Sequence, residues 1–537
     1  MSSTTVTELG AHDLAHREGE PEAMTHRQVL EAMSGLLLGM FVTILSSTVV
    51  STSLPRIVAD LHGSQSSYTW VVTSTLLALT VTTPIWVKLA DLFDRKLLVQ
   101  TGLAVYILGS LLAGLSQSMT WLIGCRVLQG LGVGGLTALV QVILADLVSP
   151  RERGRYSGYL GAVFGLGTVA GPLLGGVLTD SVGWRSCFYV GVPFAAVAFV
   201  LLQRTLHLPR RRAEVSIDYL GAGLIAGGVS SILIWVSLAG QSYDWLSWQT
   251  AALVGAGIAL IVAAILVERR VRQPIIPLHL FRERTVVLAV VASVAVGIAM
   301  FGTTVFLSQY MQIARGKSPT ESGLLSIPMV VGLFLASTII GRQVTRTGRY
   351  KKAMLAGAVL LTAGLALMGT LDERSSLVEL SAFMLMVGAG VGMLMQNLVL
   401  VTQNALSIQE MGAGSSLIAF FRTMGGAIGV SALGALLATK ARTSIIDGLA
   451  ELGVPVPNGG AGEVPDVHAL PAPVAHVIEH AYGIGVGEIF LAAAPLGLVA
   501  LVAIALLREV PLGTKSGIEL THRPEAPADA EAEPVAA

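Results

Sequence analysis

Long apolar runs decide what this chain can become. A helix needs about 20 mostly apolar residues to cross a hydrocarbon core. By that rule the sequence holds about fourteen spans, near 29–50, 69–87, 98–117, 121–148, 157–178, 187–206, 218–239, 249–267, 286–312, 322–344, 353–371, 377–404, 413–438 and 484–507. Strong strand patterns are absent. The expected fold class is therefore all-α integral membrane. Composition agrees, with 53% hydrophobic and 13% charged residues against roughly 25% charge in soluble domains. Lys plus Arg equals Asp plus Glu at 34 each, so net charge names no partner.

Cationic loop residues favour the cytoplasm. Placing both ends inside puts Lys88, Arg95, Lys96, Arg151, Arg153, Arg155, Arg210, Arg211, Arg212, Arg349, Lys351 and Lys352 in cytoplasmic segments. An even span number with this bias is self-consistent. The polar stretch 1–28 lacks a secretory apolar core and reads as a retained cytoplasmic tail. The acidic, Pro- and Ala-rich stretch 509–537 reads as a disordered one. The expected location is the cell (inner) membrane.

A weak repeat divides what lies between. Val87 and Asp94 flank a short loop ending in Arg95-Lys96; Gly341 and Gly348 flank a similar loop ending in Arg349-Tyr350-Lys351. The same offset carries Gly171 and Gly175 onto Gly425 and Gly429. Two unrelated features sharing one offset argue for duplication, and parallel repeats are a transporter signature. The expected organisation is two six-helix halves, 29–206 and 285–508, with two inserted helices and linkers at 207–284. The long outer loop, 441–483, is expected to be irregular with a short helix near its end.

Several stretches carry candidate function. In GAVFGLGTVAGPLLGG, Gly167, Gly171 and Gly175 recur every four residues and make one bare helical stripe, beside Gly176. Such a stripe lets a second backbone approach in lipid, and Pro172 removes a donor and bends the helix. This is either an ordinary tight contact or a moving contact between halves. Arg126, with Gln129, lies about two turns into the fourth span, where a charge is costly and faces a cavity or partner, or snorkels outward. Arg422 lies at mid-depth in the thirteenth span and is a functional-site candidate on the same ground. It could hold an anionic substrate group, or pair with an acid in one conformation. Gln396, Asn397, Gln403 and Asn404 repeat at seven-residue spacing, so each pair shares a face; they line a cavity or join helices.

These motifs together resemble the major facilitator superfamily, and specifically its fourteen-span drug:proton antiporter family, over nearly all of 29–508. VKLADLFDRKLL resembles the superfamily's G-x-L-a-D-r-x-G-r-K pattern, with Asp91, Arg95 and Lys96 in place and Val87 and Asp94 where glycines are usual. GCRVLQGLGVGG is similar to R-x-x-Q-G-x-G, and the glycine stretch to the antiporter motif G-x-x-x-G-P-x-x-G-G. GWRSCFYVGVP and LSSTVVSTSLP resemble two further family elements. In the last, Thr48, Leu54 and Pro55 match, but Ser46 stands where the family carries an acid.

The resemblance implies alternating access by a monomer embedded in the lipid bilayer. Its expected work is export of an amphipathic or cationic small molecule against protons as coupling ion. Asp91, Arg95 and Lys96 become a conformational latch. The glycine rows, with Gly425 and Gly429, become sliding surfaces. Arg126 and Gln129 become proton-coupling candidates. With no carboxylate inside any span, Asp146 and Asp91 are the acids nearest to replacing the missing one. Ser46, Thr48, Gln396, Asn397, Gln403 and Arg422 become cavity candidates. An exporter of an endogenous lipid, siderophore or secondary metabolite is the alternative; a membrane enzyme or channel is a remote one. No cofactor is expected: there is no P-loop or Gly-rich dinucleotide loop. Cys125 and Cys187 imply neither disulfide framework nor metal site. His476-Val-Ile-Glu479-His480 has the spacing of a zinc peptidase motif, but a Pro/Gly-rich loop offers no substrate cleft, and a polar helix turn is expected. No nucleic-acid partner is expected.

Overall fold

The computed structural model describes residues 26–147, 153–206, 219–239, 243–244, 246–271, 278–407, 410–454 and 470–510. Its described elements are helices, with one isolated bridge between Ala239 and Tyr243. The first group is α1 (His26–Asp60), α2 (Gln65–Leu92), α3 (Arg95–Gly114), α4 (Met119–Leu147), α5 (Arg153–Ser181), the single turn α6 (Ser186–Tyr189) and α7 (Gly191–Thr205). Next come α8 (Tyr219–Leu238) and α9 (Trp248–Glu268). The last group is α10 (Arg284–Gln309), extended by a π turn over Tyr310–Ala314, then α11 (Pro319–Leu325), α12 (Ile327–Thr347), α13 (Lys351–Met368), α14 (Leu377–Asn404), α15 (Met411–Glu451) and α16 (Ala472–Leu506).

Twelve helices among the described residues are long and apolar enough to cross a membrane. The protein is a multi-pass integral membrane protein. Of the two remaining expected spans, one falls on the 29-residue α4 and the other on the 20-residue α8, whose apolar stretch is Leu220–Val236.

The helix ends follow from local chemistry. Ser318 and Ser376 form capping boxes with Glu321 and Glu379. Asp94 caps α3, accepting from the Lys96 amide at 2.9 Å. So the carboxylate that breaks the loop pattern beside Arg95 has a structural task, satisfying an orphan donor. Gly348 ends α12 at φ 67°, a left-handed conformation that glycine adopts without a Cβ penalty.

Burying apolar surface gives little drive between helices in lipid, so close packing at small residues holds them. The two halves use one device twice. A Cβ on Gly134 would meet the Leu79 carbonyl at 3.0 Å, and Gly130 would meet that of Thr75 at 2.6 Å, so α4 lies on the backbone of α2. In the second half Gly388 and Gly392 of α14 lie against the Met329 and Leu333 carbonyls of α12. Likewise Gly175 of α5 faces the Val49 carbonyl of α1, while Gly425 of α15 faces that of Val294 in α10, at 2.7 and 2.6 Å.

The inserted pair sits apart from this pattern. Gly228 of α8 and Gly257 of α9 approach each other, and α8 touches both α2 and α15. Residues 441–451, expected in an irregular loop, continue α15 as helix. Ile445 and Leu449 are buried there, and Gly448 packs on Val477 of α16. The segment is helical because α16 gives its apolar face a partner.

Replacing Gly175 by Leu inserts a side chain where backbone already sits, and overpacking of this kind costs about 1–3 kcal/mol. Gly124 has open space instead. In detergent, Gly175→Leu is expected to melt several degrees below wild type, and Gly124→Leu close to it.

Candidate functional site

Contacts between α1–α7 and α10–α16 gather at one end of the bundle. The side chains of Gln65 and Gln309 donate to each other, with Gln65 Nε2 to Gln309 Oε1 at 3.1 Å. The Tyr68 hydroxyl donates to the Val305 carbonyl at 2.9 Å. The Thr52 carbonyl accepts from Ser308 Oγ at 3.2 Å and from Gln312 Nε2 at 2.6 Å. Thr73 and Ser431 hydroxyls meet at 3.0 Å. Asp180, at the end of α5, accepts from the Thr320 amide at 2.9 Å and from its hydroxyl. These groups lie at the α1–α2, α5 and α10–α11 ends and along the α2–α15 seam.

The other end carries the cationic loops, and each bonds within its own half. Arg95 donates to the Ala90 carbonyl at 3.2 Å and Lys96 to that of Gln203 at 2.7 Å. Lys351 donates to the Leu507 carbonyl at 2.7 Å. The side chains of Asp91 and Asp146 lie outside the described residues.

The glycine rows have a location the sequence did not specify. Gly167, Gly171 and Gly175 face Ile44, Thr48 and Val49 of α1, in the same half. Gly425 and Gly429 face Val294 and Ile298 of α10, again in their own half. Other parts of the stretch reach across: Gly176 meets Pro319 and Thr320, the Pro172 carbonyl meets Gly323, and Gly165 meets the Phe334 ring of α12. Thr48 therefore sits in the α1–α5 seam, its hydroxyl 3.3 Å from the Gly167 carbonyl.

Within the first half a chain of polar groups crosses four helices. Arg126 is 3% exposed. Its Nε donates to the Val71 carbonyl at 3.2 Å and a terminal nitrogen to Gln129 Oε1 at 2.8 Å. Gln129 Nε2 donates to Ser110 Oγ at 2.8 Å. Tyr106 of α3 lies beside both Ser110 and Ser46. The position where the resemblance implies an acid is thus a neighbour of this network across α3, through neutral groups. Sequence reasoning named Arg126, Gln129 and Ser46 but missed Tyr106 and Ser110; nothing in their spacing marks them, because the links are between helices.

The second half is different. Arg422 is half-buried in α15, and its guanidinium has no hydrogen bond or ion pair among the described residues. Gln396 is exposed within α14. Asn397 is buried and donates to its own helix at Met393. Gln403 donates to Ser415 Oγ at 2.7 Å, and Asn404 to the Val510 carbonyl at 3.2 Å. The four amides thus serve separate ends.

His476 and His480 lie in α16 and bind different acids, Glu479 at 3.1 Å and Glu373 at 3.2 Å. No cluster of three or more His, Cys, Asp or Glu able to hold a metal occurs among the described residues. In the neighbouring loop, hydrogen bonds from Ser375 and from the backbone hold the Asp372 carboxyl below its usual range.

A family model described as Major Facilitator Superfamily matches residues 36–430. The chain belongs to that superfamily. It is a membrane transporter, not an enzyme. An uncharacterised MFS-type transporter of Mycobacterium tuberculosis is 38% identical over 482 residues, spanning 89% of this chain and 69% of the relative. The multidrug transporter protein MdtP of Bacillus subtilis is 34% identical, spanning 78% of this chain and 77% of its own. Among solved structures, a bacterial homologue of the human lysosomal transporter Spinster aligns with a TM-score of 0.60 at 16% identity, over 90% of this chain and 98% of that one. At that identity the likeness is one of fold.

Removing one partner of a buried charge costs more than removing both. Gln129→Leu is expected to melt below the double variant Arg126→Leu/Gln129→Leu in detergent, by the equivalent of about 1–3 kcal/mol. Asp180→Ala should loosen the contact between halves while Asp180→Asn, which keeps an acceptor, should not. Thiol labelling of a Thr52→Cys reporter checks this, with faster labelling expected only for Ala.

Proposed function

We propose that this protein is a secondary active exporter of amphipathic organic compounds that works by alternating access. The observation carrying this reading is the asymmetry of contact: among the described residues, polar bonds between the halves lie at the end with Thr52, Gln65 and Val305, and the cationic loops at the other end bond within their own halves. With Lys- and Arg-rich loops placed in the cytoplasm, the closed end is outer and the structure is inward-open. Both termini are then cytoplasmic. The six spans before the inserted pair and the six after it move as two rocking halves, in the manner of superfamily repeats. The name of MdtP, multidrug transporter protein, supports a drug-type substrate.

Protons are the proposed coupling ion. Hydrogen bonds link Arg126 to Gln129 and Gln129 to Ser110; Tyr106 and Ser46 stand next to them, and no carboxylate is among these groups. The acid must come from an end of a span, and Asp146 and Asp91 are the proposed donors. Arg95 and Lys96 would exchange the Ala90 and Gln203 carbonyls for partners that close the inner side in the opposite conformation.

Dye efflux tests the reading directly. Cells carrying wild type are expected to extrude at least one of two amphipathic dyes, cationic ethidium or anionic fluorescein, and an uncoupler should abolish it. Arg126→Ala and Gly171→Leu should each lower the rate at least tenfold while the protein stays in the membrane. Full-rate efflux with an uncoupler present would rule out the proposed driving force.

A further inference from the structure

The Arg422 side chain makes no hydrogen bond or ion pair among the described residues. It lies about 16 Å along α15 from Met411. A charge at such depth is costly unless a cavity, water or partner receives it. Among the described residues no acid forms an ion pair with it, and the acids of α10, α14 and α15 are distant or absent. The α10 sequence contains none. Glu410, about 18 Å away along α15, is engaged by Ser407 and His279. Glu379 and Asp447 lie about 25 Å or more away along their helices.

Three helices converge around this residue. Gly297 of α10 packs on the Arg422 carbonyl. The Gln403–Ser415 bond joins α14 to α15 at 2.7 Å. These two helices are consecutive and antiparallel, so two turns beyond that bond, about 10 Å, Gln396 and Arg422 come level on the same faces. Gln396 is exposed in mid-helix and its amide has no hydrogen-bond partner among the described residues. Ser293, one turn before Gly297, is fully buried, and its hydroxyl also lacks a partner. Unpaired donors of this kind are rare in interiors. Beside Arg422 on α15, Phe420 and Phe421 pack edge to face at 5.2 Å, and Phe421 meets Phe281 at 5.9 Å.

We propose that α10, α14 and α15 form a recognition site for an amphipathic organic anion, one bearing a carboxylate, sulfonate or phosphate. Arg422 holds the charged group in fork geometry, Gln396 donates beside it, and half-buried Phe421, against Phe281, supplies an apolar wall to one side. Cations are disfavoured, because Arg422 repels them and no carboxylate on these three helices offsets it. The proposal rests on the exporter reading and narrows it to a charge class.

Binding to the purified full-length protein in nanodiscs tests this, with fluorescein as the anionic probe and ethidium as the cationic one, followed by anisotropy. Wild type is expected to bind fluorescein more tightly than ethidium. Arg422→Gln should weaken fluorescein at least tenfold, the loss of one hydrogen bond to a charged group. Arg422→Lys should recover part of the loss, and ethidium binding should stay the same or tighten in Arg422→Gln. Equal loss of both probes in that variant, or tighter binding of ethidium than fluorescein by wild type, would overturn the proposal. Transport in proteoliposomes separates the two readings: Arg422-dependent fluorescein binding without movement of either dye would sink the exporter reading and leave the site standing.

Discussion

Close approach of backbones at glycine is the constraint on which the structure depends. In lipid, helices gain little by hiding apolar side chains from one another. They hold instead where a missing Cβ lets a neighbour's carbonyl come near. Gly130 and Gly134 seat α4 on α2, Gly388 and Gly392 seat α14 on α12, and the Gly175 and Gly425 contacts seat α5 on α1 and α15 on α10. Each half is thereby a stiff unit. What joins the halves is of another kind: side-chain hydrogen bonds such as Gln65 with Gln309 and Asp180 with Thr320. Each of these is worth little alone and can be exchanged for water. Stiff halves with an exchangeable seam are what rigid-body rocking requires.

The two intramembrane arginines divide the labour between halves. Arg126 is buried and bonded to Val71 and Gln129, and through Gln129 to Ser110. These partners are neutral, so any proton moving along them must enter from an acid elsewhere. Arg422 is unsaturated and half-buried, with an exposed amide level with it. One arginine is built into the scaffold, and the other is left with donors to offer.

Much of this was legible in the sequence. Apolar runs of helical length placed the spans, because lipid leaves a helix few alternatives. The shared offset between Gly171 and Gly425 pointed to a repeat, and both glycines do pack against the first helix of their own group. What the sequence did not give is partnership. A stripe of glycines states that something comes close, not which helix does. The rows Gly167–Gly175 and Gly425–Gly429 read as sliding surfaces between halves, yet their neighbours are α1 and α10; Gly165, Gly176 and the Pro172 carbonyl are what look across from α5. Thr48 is in a seam for the same reason. Tyr106 and Ser110 were invisible because a contact between helices leaves no period along either one. Residues 441–451 read as loop because their helix depends on Val477, far along the chain.

The central claim is that the seam at Thr52, Gln65 and Ser308 must open and close during each transport cycle. A disulfide across it is the most direct test. Cysteines replacing Thr52 and Ser308, in a background without Cys125 and Cys187, can be oxidised in proteoliposomes and then reduced. The account predicts that oxidation stops dye transport and that reductant restores it. Transport at the wild-type rate with the bridge intact would contradict it.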